Sequence, residues 1–192
     1  MALDNTTKRV DYISVDRLIK QPPLDTNYIS IADYVERIES KTVFDKKAIT
    51  PTKLAEMLEK DCNNALKLVS KINTSVDKAL LYEVADIKAW SYLGLYLAEK
   101  IKGGIALQTY RTQGGKRNKQ NAIKHLQMAL SYWDNIVSIT KPLYRNMPLV
   151  HLSQQGGKES NENFYLTFHW EGIRPEVAKD VEIAQRAQPN KQ

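Results

Sequence analysis

Three histidines are the side chains of this sequence best suited to acid–base chemistry or metal binding. His125, His151 and His169 are well separated, and none has a second ligand at the spacing that places two donors on adjacent helical turns. The sequence therefore predicts no metal site and no cofactor. His169 differs from the other two because Trp170 and Glu171 follow it directly, which places an imidazole, an indole and a carboxylate together in an otherwise apolar stretch.

Acidic residues and the single thiol give no clearer catalytic site. A glycosidase needs two carboxyl groups that face each other across a cleft, and nothing in the sequence places Glu83 and Asp86, or Glu162 and Glu171, in that relation. Cys62 falls on an apolar helical stripe, which favours a buried thiol over a nucleophile. We predict no catalytic residue. Whether the isolated chain is an enzyme stays open, with the balance against it.

Aromatic side chains are a more suggestive feature. The chain contains three tryptophans and ten tyrosines, and flat amphipathic rings of this kind bind sugars and protein partners. The same rings at helical spacing are typical of a packed core, so both interpretations remain. The candidate ligand-binding residues are His169, Trp170, Glu171, Tyr92 and Tyr96.

Basic residues form one local cluster in a chain of net charge +6. Its members flank Gly114-Gly115 and are Arg111, Lys116, Arg117 and Lys119. A nucleic-acid interface normally lines a whole face of a protein. We therefore interpret the cluster as a solvated loop and helix start, with weak nucleic-acid binding through residues 111–124 as an alternative.

Length and composition predict one globular domain. The chain has 192 residues, of which 42% are hydrophobic and 26% charged, and this size can bury a core without disulfides. No stretch has the apolar length of a signal peptide or of a membrane span. We expect a soluble chain with an N-terminal arm at 1–28, a single helical domain at 29–187 and a polar tail at 188–192. Its location and oligomeric state stay open.

Hydrophobic periodicity predicts an all-α fold, with three long antiparallel helices, short helices near both ends and an extended C-terminal segment. The predicted helix starts are Ser14, Ser30, Thr50-Pro51, Thr74 in a capping box with Asp77, Asn118 and Arg174-Pro175, and Pro142 closes the third long helix. Gly103-Gly104 predicts an end or a bend in the second long helix, because two glycines cost about 2 kcal/mol there. The alternation from Phe164 to Trp170 predicts an extended segment without a partner strand.

The stretch Ala89 to Ala98 is predicted to be the centre of the bundle. Only Ser91 and Gly94 in it are neither apolar nor aromatic, so it has no polar face. We expect protein to contact it on nearly every side. Gly94 is expected to let a neighbouring helix approach closely.

One partial resemblance concerns a helical hairpin. Trp90-x2-Leu93-Gly94 with Ala106 and Tyr110, followed by Ala122-x3-Leu126-x2-Ala129, resembles a tetratricopeptide unit. No period of about 34 residues recurs, so an array is not expected.

A broader resemblance covers residues 28 to 185. It is carried by Ile49-Thr50-Pro51, Asp86-Ile87-Lys88-Ala89-Trp90, Ala98-Glu99-Lys100-Ile101, Ala129-x3-Trp133, Phe168-His169-Trp170 and Pro175-Glu176-Val177-x2-Asp180-Val181. Together these resemble the helical C-terminal region of large secreted glycan-degrading proteins from bacterial polysaccharide-utilisation systems. The chain departs from them in having neither the catalytic domain nor an export signal.

That resemblance implies a non-catalytic structural or interaction module of a glycan-processing protein, periplasmic or secreted, with no catalytic residues to carry over. The expected partners are a catalytic domain of the same parent protein or a carbohydrate. A sugar-binding or hydrolytic site around His169, Trp170 and Glu171 is the alternative.

Overall fold

The computed structural model describes residues 2–4, 9–75, 77–148 and 167–190, and the statements below concern those residues. Its helices are α1 (Val15–Lys20), α2 (Ile31–Glu39), α3 (Pro51–Val69), α4 (Lys78–Gln113), α5 (Lys116–Thr140) and α6 (Trp170–Arg186). Two short antiparallel strand pairs accompany them: β1 (Ala2–Asp4) with β2 (Arg9–Asp11), and β3 (Met147–Pro148) with β4 (Thr167–Phe168). The predicted all-α fold with three long helices is confirmed.

Helix α4 is the centre of the bundle. It packs against α3, α5, α1 and α2, while α6 packs mainly on α5. The α3–α4 and α4–α5 pairs are antiparallel: Glu59 lies beside Lys102 in the first, and Tyr96 lies beside Trp133 in the second. No described helix combines the length and apolar character that crossing a membrane requires.

Three of the predicted helix starts are confirmed by their caps. The hydroxyl groups of Ser14, Ser30 and Thr50 each accept a hydrogen bond from the backbone N–H three residues further on. Pro51 occupies the first helical position, where its missing N–H costs nothing. These starts are readable because capping depends on a few consecutive residues.

Three other helix starts differ from the prediction. Helix α4 begins at Lys78 and its cap is Asp77, whose carboxylate accepts from the Ala79 N–H, and not the predicted Thr74. Helix α5 begins at Lys116, because Gly114 and Gly115 make the turn with φ of 73° and 92°; the Asn118 side chain donates to the Gly114 carbonyl instead of capping. Helix α6 begins at Trp170, four residues before the predicted start. There His169 is the cap, since its Nδ1 accepts from the Glu171 N–H.

Gly103 and Gly104 do not end α4, which continues to Gln113. A Cβ at Gly103 would lie 2.7 Å from Cγ of Leu126 on α5, and one at Gly104 would lie 3.0 Å from Cδ1 of Ile31 on α2. The close approach of two other helices therefore explains the glycines, and the packing offsets their low helix propensity.

The core has two parts. One joins α1 and α2 to the C-terminal half of α4, and the predicted N-terminal arm contributes Val15 and Ile19 to it, both at most 1% exposed. The other surrounds Trp133, which is 1% exposed, between α4, α5 and α6. The extended segment also differs from the prediction: its described part, Thr167–Phe168, pairs with Met147–Pro148. Residues 164 to 166 of that segment lie outside the described residues.

Candidate functional site

Trp90 is the clearest departure from the predicted burial of the central stretch. Its side chain is 67% exposed, although Ala89 and Ser91 beside it are buried. Trp90 lies on the face of α4 that also carries Glu83 and Asp86, both exposed. Because α3 and α5 pack on the other faces of α4, none of the described helices covers this face along the first turns. The expectation that protein surrounds the whole stretch was wrong at this residue.

Two adjoining clefts share Trp90, Phe168 and Trp170, and we call these three residues the aromatic platform. The cleft on one side is mostly apolar and has a volume of about 400 Å³. Its other lining residues are Tyr12, Ile13, Leu18, Leu93, Tyr96, Leu97, Lys100 and Trp133. The cleft on the other side is more polar, about 470 Å³, and is lined by Asp86, Ala89, Thr140, Tyr144, Arg145, Asn146, Met147 and His169.

The core fixes two rings of the aromatic platform. The indole N–H of Trp133 donates to the Trp170 carbonyl at 2.9 Å, and the two indoles pack edge to face with centroids 5.5 Å apart. Phe168 packs edge to face on Trp170 at 5.3 Å. The platform is therefore held by buried aromatic packing and not by loops alone.

A buried polar network lies at the floor of the apolar cleft. The Nζ of Lys100 is 2.8 Å from Oδ2 of Asp180, and it also donates to the hydroxyls of Tyr12 and Tyr96 and to the Ile13 carbonyl. Asp180 accepts from the Tyr12 hydroxyl and from the Val15 N–H, each at 2.7 Å. The network thus joins the start of α1 to α4 and α6.

Burial decides the protonation of this network. Burial raises the pKa of Tyr12 and Tyr96 far above their ordinary value, so both hydroxyls stay neutral. Burial also lowers the pKa of Lys100, and the charge of Asp180 opposes that change. Because every member already has a hydrogen-bond partner, the network is structural and contributes a neutral phenol surface to the cleft.

The described lining of the polar cleft contains one carboxylate, that of Asp86. Its Oδ1 accepts from the Tyr144 hydroxyl at 2.6 Å, and burial together with this bond raises the pKa of Tyr144 to about 12. His169 lies at the base of α6 with Nδ1 accepting from the Glu171 N–H, so its neutral ring carries the proton on Nε2. That Nε2 is buried and has no partner among the described residues.

The structure brings only part of the predicted ligand site together. Trp170 lines both clefts, Tyr96 lines the apolar one and His169 the polar one. Glu171 lines neither: it is exposed and pairs with Lys141 at 2.7 Å, which lowers the pKa of Glu171. Tyr92 lies on another face of α4, where its ring packs against Tyr132 with centroids 6.2 Å apart.

The predicted basic cluster is also divided. Arg111 pairs with Asp16 at 2.6 Å, and Lys119 donates to the Ala187 carbonyl while lying over the Tyr110 ring. Lys116 and Arg117 are exposed at the start of α5. Two of the four cationic groups are thus already engaged with the protein.

The described residues contain no group of three or more His, Cys, Asp or Glu side chains placed to hold a metal ion. No family model matches the chain, and no curated protein or solved structure matches it either. The site therefore has to be interpreted from its own geometry.

Sequence reasoning missed the exposure of Trp90 and the contribution of Asp86, Tyr144 and Arg145. The sequence did contain a signal for the exposure of Trp90. Glu83, Asp86 and Trp90 are spaced by three and four residues, which places the indole on the same face of the helix as two acidic side chains. The Tyr144 and Arg145 contributions carried no such signal, because they come from the segment after α5 folding back on α4.

Proposed function

We propose that this chain is a non-catalytic helical module of a glycan-processing protein and that it binds carbohydrate at the aromatic platform. The observation that carries the proposal is the 67% exposure of Trp90 on a helix that the core holds rigid. A sugar ring has an apolar face of C–H groups and a polar edge of hydroxyl groups. The platform offers matching surfaces, with an indole between two mostly apolar clefts, one of which also carries the polar side chains of Asp86, Tyr144 and Arg145.

The energetics of folding do not account for an indole at this position. Burying a large aromatic side chain contributes roughly 1.5–3 kcal/mol or more, and Trp90 forgoes most of that gain. Trp133, by contrast, is almost fully buried. A ligand that stacks on Trp90 recovers apolar burial that folding leaves unused.

The arrangement of the acids supports binding over hydrolysis. Among the described residues, Asp86 is the only carboxylate that lines either cleft, and it already accepts the Tyr144 hydroxyl. Hydrolysis of a glycoside by the usual route needs two carboxyl groups about 5–9 Å apart across the bond. Glu171, the acid of the hydrolytic alternative, pairs with Lys141 outside both clefts.

The test uses the intact chain and a panel of soluble polysaccharides, with binding followed by affinity electrophoresis and titration calorimetry. We expect at least one polysaccharide to bind and Trp90→Ala to weaken it at least tenfold, as for a central aromatic contact. Leu68→Ala is the matched control, because Leu68 is 66% exposed on α3 and lines neither cleft.

Two results would overturn the proposal. One is binding that Trp90→Ala leaves unchanged, or an absence of binding across the panel. The other is release of reducing sugar by the chain that is lost in Glu171→Gln or His169→Ala, since that would establish the hydrolytic alternative.

A further inference from the structure

We infer that the glycan bound at the aromatic platform carries a carboxylate, as a uronic acid does, and that Arg145 is the residue that selects it. This inference rests on the proposed function and names its substrate class. It comes from the distribution of charge in the polar cleft, where a guanidinium and an indole line the same space.

Within the described part of the chain, Arg145 lacks the carboxylate partner that three other arginines have. Arg111, Arg174 and Arg186 each pair with a carboxylate. Among the described residues, Arg145 makes no hydrogen bond or ion pair, although it lines the polar cleft beside Trp90 and Asn146. A guanidinium presents its donors in a planar fork that matches a carboxylate with two parallel hydrogen bonds.

The carboxylate that shares the cleft is engaged elsewhere. Asp86 accepts the Tyr144 hydroxyl at 2.6 Å, and it forms no ion pair with Arg145. The lining of the cleft therefore contains an acceptor that already binds the Tyr144 hydroxyl and an arginine that no described carboxylate pairs. A bound sugar that stacks on Trp90 with its carboxylate on Arg145 pairs the guanidinium, and its hydroxyls meet Asp86 and Asn146.

The net positive charge of the chain also favours the binding of acidic polysaccharides, but it does not distinguish one polyanion from another. A protein of net charge +6 attracts any polyanion, and Lys116 and Arg117 are exposed at the start of α5. The experiment must therefore separate recognition at Arg145 from general attraction.

The probes are hyaluronan, alginate and polygalacturonate, each compared with its carboxyl-reduced form, so that only the carboxylate changes within a pair. Titration calorimetry with the intact chain measures both members. We expect at least one acidic form to bind about tenfold or more tightly than its reduced form, as for a hydrogen bond to a charged group.

Arg145→Gln should lower the affinity for that acidic polysaccharide about tenfold or more, so that the variant binds the acidic and reduced forms about equally. Lys116→Gln/Arg117→Gln is the matched control. At physiological salt it should lower the affinities for the acidic and the reduced form only slightly. Asp86→Asn keeps an acceptor for Tyr144 and removes a negative charge. We expect the ratio of the two affinities, acidic form over reduced form, to rise severalfold, because only the acidic form gains from the loss of charge repulsion.

The two proposals fail in different ways. If acidic and reduced forms bind equally, and Trp90→Ala weakens both, the carboxylate inference is wrong and carbohydrate binding stands. If preference for the acidic form disappears in Lys116→Gln/Arg117→Gln but persists in Arg145→Gln, the attraction is general and the inference is again wrong. If Trp90→Ala changes neither affinity, the proposed function itself fails.

Discussion

The Nζ of Lys100 lies 2.8 Å from Oδ2 of Asp180, and both side chains are only 3% exposed. The two residues belong to different helices, α4 and α6, and Asp180 also accepts the Val15 N–H at the start of α1. One buried ion pair thus connects three elements. Its position under the apolar cleft means that the shape of the cleft depends on it.

Removing one member of that pair should destabilise the protein strongly. Asp180→Ala leaves the Lys100 charge, the Tyr12 hydroxyl and the Val15 N–H without their acceptor, and we expect a loss of about 3–5 kcal/mol in the free energy of unfolding. Chemical denaturation measures it. The double variant Lys100→Met/Asp180→Leu should lose less than the single one, because no unpaired charge remains. A single variant as stable as the natural chain would contradict the structural role of the pair.

Gly94 should tolerate no side chain while Cys62 is present. A Cβ at Gly94 would lie 2.3 Å from Sγ of Cys62 on α3, so Gly94→Leu is expected to cost about 1–3 kcal/mol through overpacking. Thermal unfolding measures the change. Gly94→Ala should be rescued in part by Cys62→Ala, which removes the sulfur.

Gly172→Ala is the matched control for Gly94. Gly172 also lies in a helix, but a Cβ there meets nothing within 4 Å. Alanine should leave the stability unchanged or raise it by up to about 1 kcal/mol. An equal loss at both glycines would show that the contact with Cys62 is not the cause.

Glu99 should make stability depend on pH in the acidic range. Burial alone would raise the pKa of Glu99, but the hydrogen bond and charge of His125, with the charge of Lys102, outweigh it and lower that pKa. Glu99 therefore contributes stability above its unfolded-state pKa, about 4.5, and this is lost as the pH falls through the lower folded-state pKa.

The Glu99→Gln variant tests that dependence through urea unfolding at a series of pH values. We expect lower stability than the natural chain at neutral pH and a smaller fall in stability below pH 4.5, the ordinary value for the group. If the free energy of unfolding falls equally with pH in the variant and in the natural chain, the acid sensitivity comes from other carboxylates.

Substitution of Trp90 should affect the stability of the protein much less than substitution of Trp133. Trp90→Ala should change the free energy of unfolding by no more than about 0.5 kcal/mol, because the side chain is largely exposed, whereas Trp133→Ala should cost about 3–5 kcal/mol. Fluorescence gives an independent measurement: Trp90→Phe should remove most of the emission that acrylamide quenches readily. Quenching that stays the same in this variant would place the exposed indole elsewhere.

The candidate site was predicted only in part. Trp170 and Tyr96 were expected near the ligand and do line the apolar cleft. Tyr92 differs from Tyr96 by one helical turn, yet it faces Tyr132 and another cavity. The difference depends on where α3 and α5 lie around α4, which the spacing of residues along one helix does not specify.

What the sequence by itself determined is local. Capping hydroxyls, a proline at the first helical position and apolar stripes specified α1, α2 and α3, because each signal acts within a few turns of chain. Tertiary contacts decided the rest. Leu126 and Ile31 approach Gly103 and Gly104, where α4 stays continuous. Trp90 is exposed because no helix in the described part of the chain covers α4 beside Glu83 and Asp86. Burial depends on neighbours distant in sequence, so periodicity identified the helix but not the face that remained open.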